Sequence, residues 1–266
     1  MIRKHIFKDN EQSDSIRWRL HETTRVEAFS DAVFGFALTL VVISLEVPQT
    51  FHELLHMMLG FFGFAICFLF IVLIWHEQYM FFRRYGLQDT RTTFYNMVLL
   101  FMVIYLVYPL KFLFYSLAQG FQGTVIVNGE SLPRFSDESE LSQLMIIYGI
   151  GYFIIYAIMG LMYAHAVKRK NDILLTPLEV YNTKTHVYTY IGRLGVVVIS
   201  LAFAIYGLTH SGIFAFFSGI SYSLIGFVMW LVRGSREKKI KVLFSESEIE
   251  TIKNEIVVME EKEIQN

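Results

Sequence analysis

Two histidines and a glutamate at zinc-binding spacing stand at the start of a long apolar run. His52, Glu53 and His56 fit the pattern His-Glu-x-x-His, which on a helix places both histidines on one face to bind zinc, with the glutamate as general base. A catalytic zinc takes a third protein ligand, and the sequence has no recognised partner motif that supplies one. A membrane-embedded zinc metalloprotease is therefore one hypothesis, and a modulatory metal or proton site is a second. The third is a polar helix start at a membrane surface.

Charged residues also open the apolar run that precedes this motif. Arg25 and Asp31 stand at its entrance, where a carboxylate is costly to bury unless it is paired or hydrated. The two residues are six positions apart, so they do not share a helical face. Each is predicted either to bond to a neighbouring helix or to serve as a helix cap and interface anchor.

A stripe of four residues follows in the same run, at positions i, i+3, i+4 and i+7: Phe36, Thr39, Leu40 and Ile43. This spacing places them on one face of a helix. Such a stripe either packs against other helices or lines a pore.

The elements that position these residues are predicted to be membrane-spanning helices. Of the 266 residues, 54% are hydrophobic and 18% are charged, against roughly 45–50% and about 25% in a soluble domain. A helix needs about 20 apolar residues to cross a bilayer. Runs of that kind predict six spans, at about 28–47, 54–79, 94–117, 141–167, 187–208 and 213–232.

The positions of lysine and arginine predict the orientation of these spans. The segments before span 1 and after spans 2, 4 and 6 are basic, whereas the loops after spans 1, 3 and 5 contain only Arg134. Since cytoplasmic loops collect positive charge, both termini are predicted to be cytoplasmic. The chain is thus predicted to be an all-α membrane protein, with a cytoplasmic segment at 1–27, a six-helix membrane domain at 28–233 and a short cytoplasmic C-terminal helix or tail at 234–266.

Several other classes of protein are disfavoured. A net charge of -1 gives no support to nucleic-acid binding, which calls for a basic surface. A single cysteine excludes a disulfide framework. No matching pair of interrupted spans suggests a secondary transporter. Arg193 lies inside the fifth span and needs a partner there, for which Glu77 and Asp31 are candidates.

The first span carries a recognisable motif. The run Arg25-x-x-x-Phe29-Ser30-Asp31, continued without gaps through Thr39 to Val47-Pro48, closely resembles the transmembrane protein 175 family of potassium channels. Its six spans and single repeat are similar to the bacterial branch of that family, whose subunits form homotetramers around the first helix. The resemblance extends through Trp75 and the segment 81–87.

The resemblance implies two groups of functional residues. In the family, the opening motif belongs to a polar network that fixes helix packing. Trp75 and His76 of the second span are assigned to the same network in this sequence. Gln78 occupies the position where the family usually has histidine. The implied network, called the signature network below, comprises Arg25, Phe29, Ser30, Asp31, Trp75 and His76.

The second implied group lines the pore. A large side chain five places after the aspartate, here Phe36, forms the narrowest ring, where the family usually has leucine or isoleucine. Thr39 takes part in selecting potassium, and Leu40 and Ile43 form further apolar rings.

The resemblance therefore predicts a potassium-selective, leak-like cation channel in the inner (plasma) membrane, built as a homotetramer in the lipid bilayer. The sequence has no Thr-Val-Gly-Tyr-Gly loop, so a hydrophobic constriction is predicted in place of a carbonyl filter. Potassium is the predicted permeant ion. No enzymatic activity, cofactor, bound metal, soluble substrate or nucleic acid is expected.

Overall fold

Long helices form most of the chain. The computed structural model describes residues 17–19, 22–42, 50–119, 124–127, 130–245, 247–252 and 254. In chain order the elements are α1 (Arg25–Val42), α2 (Phe51–Tyr85), α3 (Thr90–Gln119), β1 (Thr124–Val127), β2 (Glu130–Pro133), α4 (Glu138–Lys168), α5 (Pro177–Gly207), α6 (Ile213–Ser221) and α7 (Leu224–Leu243). Residues 247–252 are also helical.

Five segments within the described residues are long and apolar enough to cross a membrane. They are Gly63–Tyr85, Thr90–Phe114, Ser139–Lys168, Pro177–Gly207 and Ile213–Ile240, the last of which joins α6 and α7. Such helices suit a bilayer because every backbone N–H and C=O group within them finds its partner in the same segment. The described part of α1 is not among the five, and its 18 residues include three charged ones, Arg25, Glu27 and Asp31.

Several helices extend past the apolar runs from which they were predicted. α2 continues to Tyr85, beyond the predicted end at 79, and α5 begins at Pro177, well before residue 187. The start of α5 is stabilised by a capping box, in which Thr176 accepts from the backbone of Glu179 and the Glu179 side chain accepts from the backbone of Thr176. These bonds satisfy backbone donors that a helix start otherwise leaves without partners.

The prediction of an all-α protein is wrong in the segment between α3 and α4, which contains a β-hairpin. β1 pairs with β2 in antiparallel register, with Thr124 opposite Pro133 and Val127 opposite Glu130. β1 has the sequence Thr-Val-Ile-Val, and its β-branched side chains favour the extended backbone.

The last predicted span contains a local distortion where α6 meets α7. The backbone N–H groups of Tyr222 and Ser223 donate to the carbonyls of Gly219 and Ile220 at 3.2 and 2.9 Å, which is the i→i−3 pattern of a 3₁₀ turn. Both residues keep right-handed helical dihedrals. The two helices therefore continue in nearly the same direction as one membrane-length segment.

One end of the bundle, the basic end, contains Arg19, Arg83 and Glu179. The Arg19 guanidinium donates to the two carboxylate oxygens of Glu179 at 3.0 and 2.8 Å, and the Arg19 backbone N–H donates to the carbonyl of Arg83 at 2.9 Å. Arg19 also donates to the carbonyl of Ile173 at 2.8 Å. Residues 17–19 of the predicted N-terminal segment thus pack between the end of α2 and the start of α5.

An acidic residue links α3 to α4 at the same end. Asp89 accepts a hydrogen bond from the hydroxyl of Thr92 and contacts the His165 ring nitrogen at 2.8 Å. Burial acts to raise the pKa of Asp89, but these two hydrogen bonds, together with the electrostatic effects of His165 and Arg169, outweigh burial and hold that pKa below its ordinary value. The contact therefore contributes stability above the unfolded-state pKa of Asp89, and this contribution is lost as the pH falls through the folded-state pKa.

Candidate functional site around the first helix

The first helix has one buried face and one exposed face. Ser30, Phe34, Ala37 and Val41 are each 2% exposed or less, and their spacing of i, i+4, i+7 and i+11 places them on one side of α1. Another side of the helix carries Phe29 and Phe36, which are 51% and 53% exposed. α1 therefore packs against its own subunit along one stripe and leaves an aromatic surface uncovered.

The start of α1 is fixed by a capping box and an ion pair. The backbone N–H of Glu27 donates to the hydroxyl of Thr24 at 3.2 Å, and the backbone N–H of Thr24 donates to the Glu27 carboxylate at 2.9 Å. The other carboxylate oxygen of Glu27 lies 3.8 Å from the Arg83 guanidinium. Glu27 thereby satisfies the helix start and attaches it to the end of α2.

A buried chain of three polar side chains joins the first three helices. The side-chain amide of Gln78 on α2 donates to Asn96 on α3 at 3.0 Å, and Asn96 donates to the hydroxyl of Ser30 on α1 at 2.9 Å. All three residues are at most 1% exposed. Because polar groups in the membrane interior are costly without partners, this chain strongly favours one register of α1 against α2 and α3.

A second polar contact holds α1 to α2. The indole N–H of Trp75 donates to a carboxylate oxygen of Asp31 at 2.7 Å, and the Trp75 ring stacks on Tyr79 with 5.6 Å between ring centroids. The hydrogen bond is charge-assisted and therefore stronger than a neutral one. Trp75 and Gln78 lie in one turn of α2, so that turn contacts α1 directly through Trp75 and indirectly through Asn96.

The predicted site residues fall into three groups. Ser30, Asp31 and Trp75 take part in the contacts just described, together with Gln78 and with Asn96, which the sequence reasoning missed. Arg25, Phe29 and His76 are exposed on the single chain, as are Phe36 and Thr39 of the pore stripe. Leu40 is partly buried against the core, and Ile43 lies outside the described residues.

Asn96→Leu is expected to lower the thermal stability of the purified protein. Leucine has a similar size but removes Asn96 as the acceptor of the buried Gln78 amide. It also removes the hydrogen bond that the Ser30 hydroxyl accepts, while that hydroxyl still donates to the Val26 carbonyl. A buried polar group that loses its partner costs about 1–3 kcal/mol. The melting temperature in detergent measures the effect. Met97→Leu, at the neighbouring position that is 45% exposed, is the matched control and should melt as the wild type does. Equal melting temperatures for the two variants would contradict a stabilising role for the Gln78–Asn96–Ser30 hydrogen bonds.

The zinc-site residues give no support to the protease hypothesis. His52, Glu53 and His56 lie in α2, but their side chains are outside the part of the molecule that is described. Among the described residues, no group of three or more histidine, cysteine, aspartate or glutamate side chains is arranged to hold a metal ion.

The segment from the start of α1 into α3 matches a known protein family. Residues 25–106 match the family described as endosomal/lysosomal potassium channel TMEM175. A potassium channel from Marivirga tractuosa is 40% identical over 186 residues, which cover 69% of this chain and 75% of the relative. This chain belongs to the TMEM175 family. A potassium channel from Chamaesiphon minutus is 31% identical over 96 residues, or 33% of this chain and 47% of that one.

Two solved TMEM175 structures resemble the fold. The crystal structure of a threonine-to-alanine variant of the potassium channel MtTMEM175, in complex with a nanobody-MBP fusion protein, has a TM-score of 0.70 and 35% identity and covers 84% of this chain and 97% of that one. A lysosomal potassium-selective channel TMEM175 homolog from Chamaesiphon minutus has a TM-score of 0.51 and 18% identity over 78% and 96% of the two chains. The second likeness concerns the fold alone.

Membership of the TMEM175 family settles the class and the location of the protein. TMEM175 proteins are potassium channels and not enzymes, so the comparisons do not support the metalloprotease alternative. With its apolar helices, this TMEM175 member is a multi-pass protein of the cell membrane.

Proposed function

We propose that this protein is a potassium-selective, leak-like cation channel in which four copies surround a pore lined by α1. The exposed face of α1 is the observation that carries the proposal. Phe36 is 53% exposed in the middle of this helix, while another side of the helix is fixed to α2 and α3 through Ser30 and Asp31. An apolar face that a single chain leaves open is suited to line a hydrophobic constriction between copies.

The hydroxyl of Thr39 supports a role in ion selection. Thr39 donates its hydroxyl hydrogen to the backbone carbonyl of Phe36 at 2.7 Å. The hydrogen is therefore engaged within the helix, and the lone pairs of the oxygen are free to accept from water or to coordinate a cation. Since Thr39 is exposed one turn beyond Phe36, a ring of four such oxygens would partly replace the hydration shell of an ion that passes the constriction.

Leu40 and Ile43 complete the proposed lining as further apolar rings. Leu40 is half-buried beside the core, so it would contribute one edge of its side chain rather than its whole surface. The pore needs no cofactor, and potassium is the permeant ion.

The proposed topology has six spans, with α1 as the first and both termini in the cytoplasm. Its membrane domain comprises residues 28–233, between the N-terminal segment 1–27 and the C-terminal tail 234–266. The basic end supports this orientation, because positive residues favour the cytoplasmic side. Arg83 and Lys168 lie in the last turns of α2 and α4, and Arg19 bonds to the carbonyls of Arg83 and Ile173.

Reporter fusions are expected to give a fixed pattern of sidedness. Fusions after Gly86 and after Lys170 should be active in the cytoplasm, since each follows an even-numbered span with basic flanking residues. A fusion near Gly129, in the segment that carries the hairpin, should read as external. A cytoplasmic signal at Gly129 would contradict the six-span topology.

Purified protein in liposomes tests the function itself. The expected results are a particle mass of four chains by native mass spectrometry and an uptake of potassium that exceeds that of sodium under matched gradients. Flux that is equal for the two ions would remove selectivity from the proposal, and the absence of any cation flux from intact tetramers would overturn it.

A further inference from the structure

A line of polar side chains joins α2 to α5. On α5 it consists of Thr183, His186, Tyr190 and Arg193, whose spacing of i, i+3, i+7 and i+10 places them on one helical face. On α2 it consists of Glu77, Arg84 and Tyr85. We call this set the polar seam.

The polar seam consists of three successive sets of direct contacts between α2 and α5. The hydroxyl of Tyr85 donates to Thr183 at 3.0 Å, and the Arg84 guanidinium contacts the His186 ring nitrogen at 3.1 Å. The third set contains the charges: Arg193 donates to the two Glu77 oxygens at 2.8 and 3.1 Å, and the Tyr190 hydroxyl donates to Glu77 at 3.0 Å.

The arginine of this ion pair is fixed from several sides. Its guanidinium carbon lies 4.8 Å from the ring centre of Tyr156 on α4 and 5.4 Å from that of Tyr190 on α5. Its Nε group lies 3.1 Å from the sulfur of Met229 on α7. The guanidinium therefore occupies a position determined by α4, α5 and α7, and it presents a rigid, charged fork to α2.

The glutamate stands in the same helical turn that holds α1. Glu77 lies between Trp75, which donates to Asp31, and Gln78, which reaches Ser30 through Asn96. Residues one and two places apart on a helix point in different directions, so this turn contacts α1 and α3 on some sides and α5 on another. A displacement of Glu77 therefore moves both attachments of the pore helix.

We propose that the Glu77–Arg193 ion pair positions the turn Trp75–Gln78, and through it the pore-lining α1, so that α4, α5 and α7 influence the ion selectivity of a constriction formed by α1. This inference rests on the proposed function, in which α1 lines the pore. Glu77 and Arg193 are positioning residues, because they act through Trp75 and Gln78 and have no contact with the permeant ion.

The decisive measurement is the potassium-to-sodium flux ratio of Glu77→Gln and Arg193→Gln in liposomes. Each variant is expected to lower the ratio at least about threefold, as mutations along a coupled network do. The double variant should lower it no further than either single variant, because the two changes remove the same interaction. The exchange of the two charges, Glu77→Arg with Arg193→Glu, should restore part of the ratio.

Fluorescence of Trp75 gives a readout that does not depend on flux. In a background with Trp18→Phe and Trp230→Phe, Trp75 is the remaining tryptophan of the chain. Glu77→Gln should increase its quenching by acrylamide, because the turn that holds the indole against Asp31 is no longer fixed. Unchanged quenching together with an unchanged ratio would overturn the inference.

Arg236→Gln is the matched control for loss of a helix-to-helix contact elsewhere. Arg236 on α7 lies 4.0 Å over the ring of Tyr181 on α5 and donates to Thr185 at 3.1 Å, with no part in the polar seam. This variant should lower the melting temperature while the flux ratio stays at the wild-type value. If the Glu77 variants behave in the same way, the ion pair is structural only and the inference is wrong.

Failure of the inference and failure of the proposed function are distinguishable in the same assay. Wild-type protein without potassium-preferring flux contradicts the function. Wild-type selectivity that is lost in Thr39→Val but retained in both Glu77→Gln and Arg193→Gln contradicts the inference alone. If Glu77→Gln does not assemble, Arg193→Lys keeps the positive charge but loses the planar fork, and its ratio decides the question.

Discussion

Alanine at position 36 is expected to raise the resting potassium flux at least about tenfold. Phe36 is 53% exposed on the uncovered face of α1, and in the proposed tetramer four phenyl rings meet there and exclude water. A cation that gives up its hydration shell at an apolar ring meets a large barrier. Each reduction of that barrier by about 1.4 kcal/mol raises conductance about tenfold. Potassium uptake into liposomes, at equal amounts of intact tetramer, measures the change.

Two control variants distinguish the opening of the proposed gate from the effect of removing any exposed aromatic ring. Phe101 on α3 is 67% exposed, so Phe101→Ala removes a phenyl ring from an open surface without touching α1, and its flux should equal that of the wild type. Phe36→Leu keeps an apolar ring of smaller side chains and should conduct less than Phe36→Ala. Unchanged flux in Phe36→Ala with an intact tetramer would place the gate elsewhere on α1, with Leu40 next along the stripe.

Apolar runs predict the membrane helices well but misplace their ends. Such a run stops at the first charged residues, whereas a helix continues as long as its polar residues have partners. Glu179 is an example: it is fully buried, and it caps α5 and binds Arg19 at once. That pairing joins residues far apart in sequence, so a reading of hydropathy along the chain places the start of α5 too late.

The polar contacts of the site are predictable in kind but not in detail. A carboxylate at the entrance of an apolar helix implies a partner, and Trp75 is that partner for Asp31. Asn96 was missed because its role depends on the relative register of three helices, which a single sequence does not contain. Its only signal is an amide side chain inside an apolar run.

For Arg193 too, the sequence predicts the kind of partner but does not identify it. Its position inside a span implies an acidic partner, and of the two candidates the structure selects Glu77. Asp31 is already bonded to Trp75. The hairpin, by contrast, had a local signal: Asn128-Gly129 stands between two short segments, and Asn-Gly is typical of a two-residue hairpin connection.

Valine at position 39 is expected to lower the preference for potassium over sodium about three- to tenfold while most of the potassium flux is retained. Valine keeps the branched shape of threonine and removes the hydroxyl oxygen, whose contribution to ion binding is comparable to a hydrogen bond of about 0.5–1.5 kcal/mol. The hydroxyl also donates to the carbonyl of Phe36, but this bond lies within one turn of α1, so its loss has little effect on the helix. The ratio of potassium to sodium uptake in liposomes measures the change.

Serine at position 39 is the matched control, because it keeps the hydroxyl and loses only the methyl group. Thr39→Ser should therefore retain the wild-type ratio if the oxygen carries the discrimination. A ratio that falls equally in Thr39→Ser and Thr39→Val would instead assign selectivity to the width that the methyl groups impose on the ring. A wild-type ratio in both variants would remove Thr39 from ion selection and leave the hydrophobic constriction at Phe36 as the element of α1 that controls permeation.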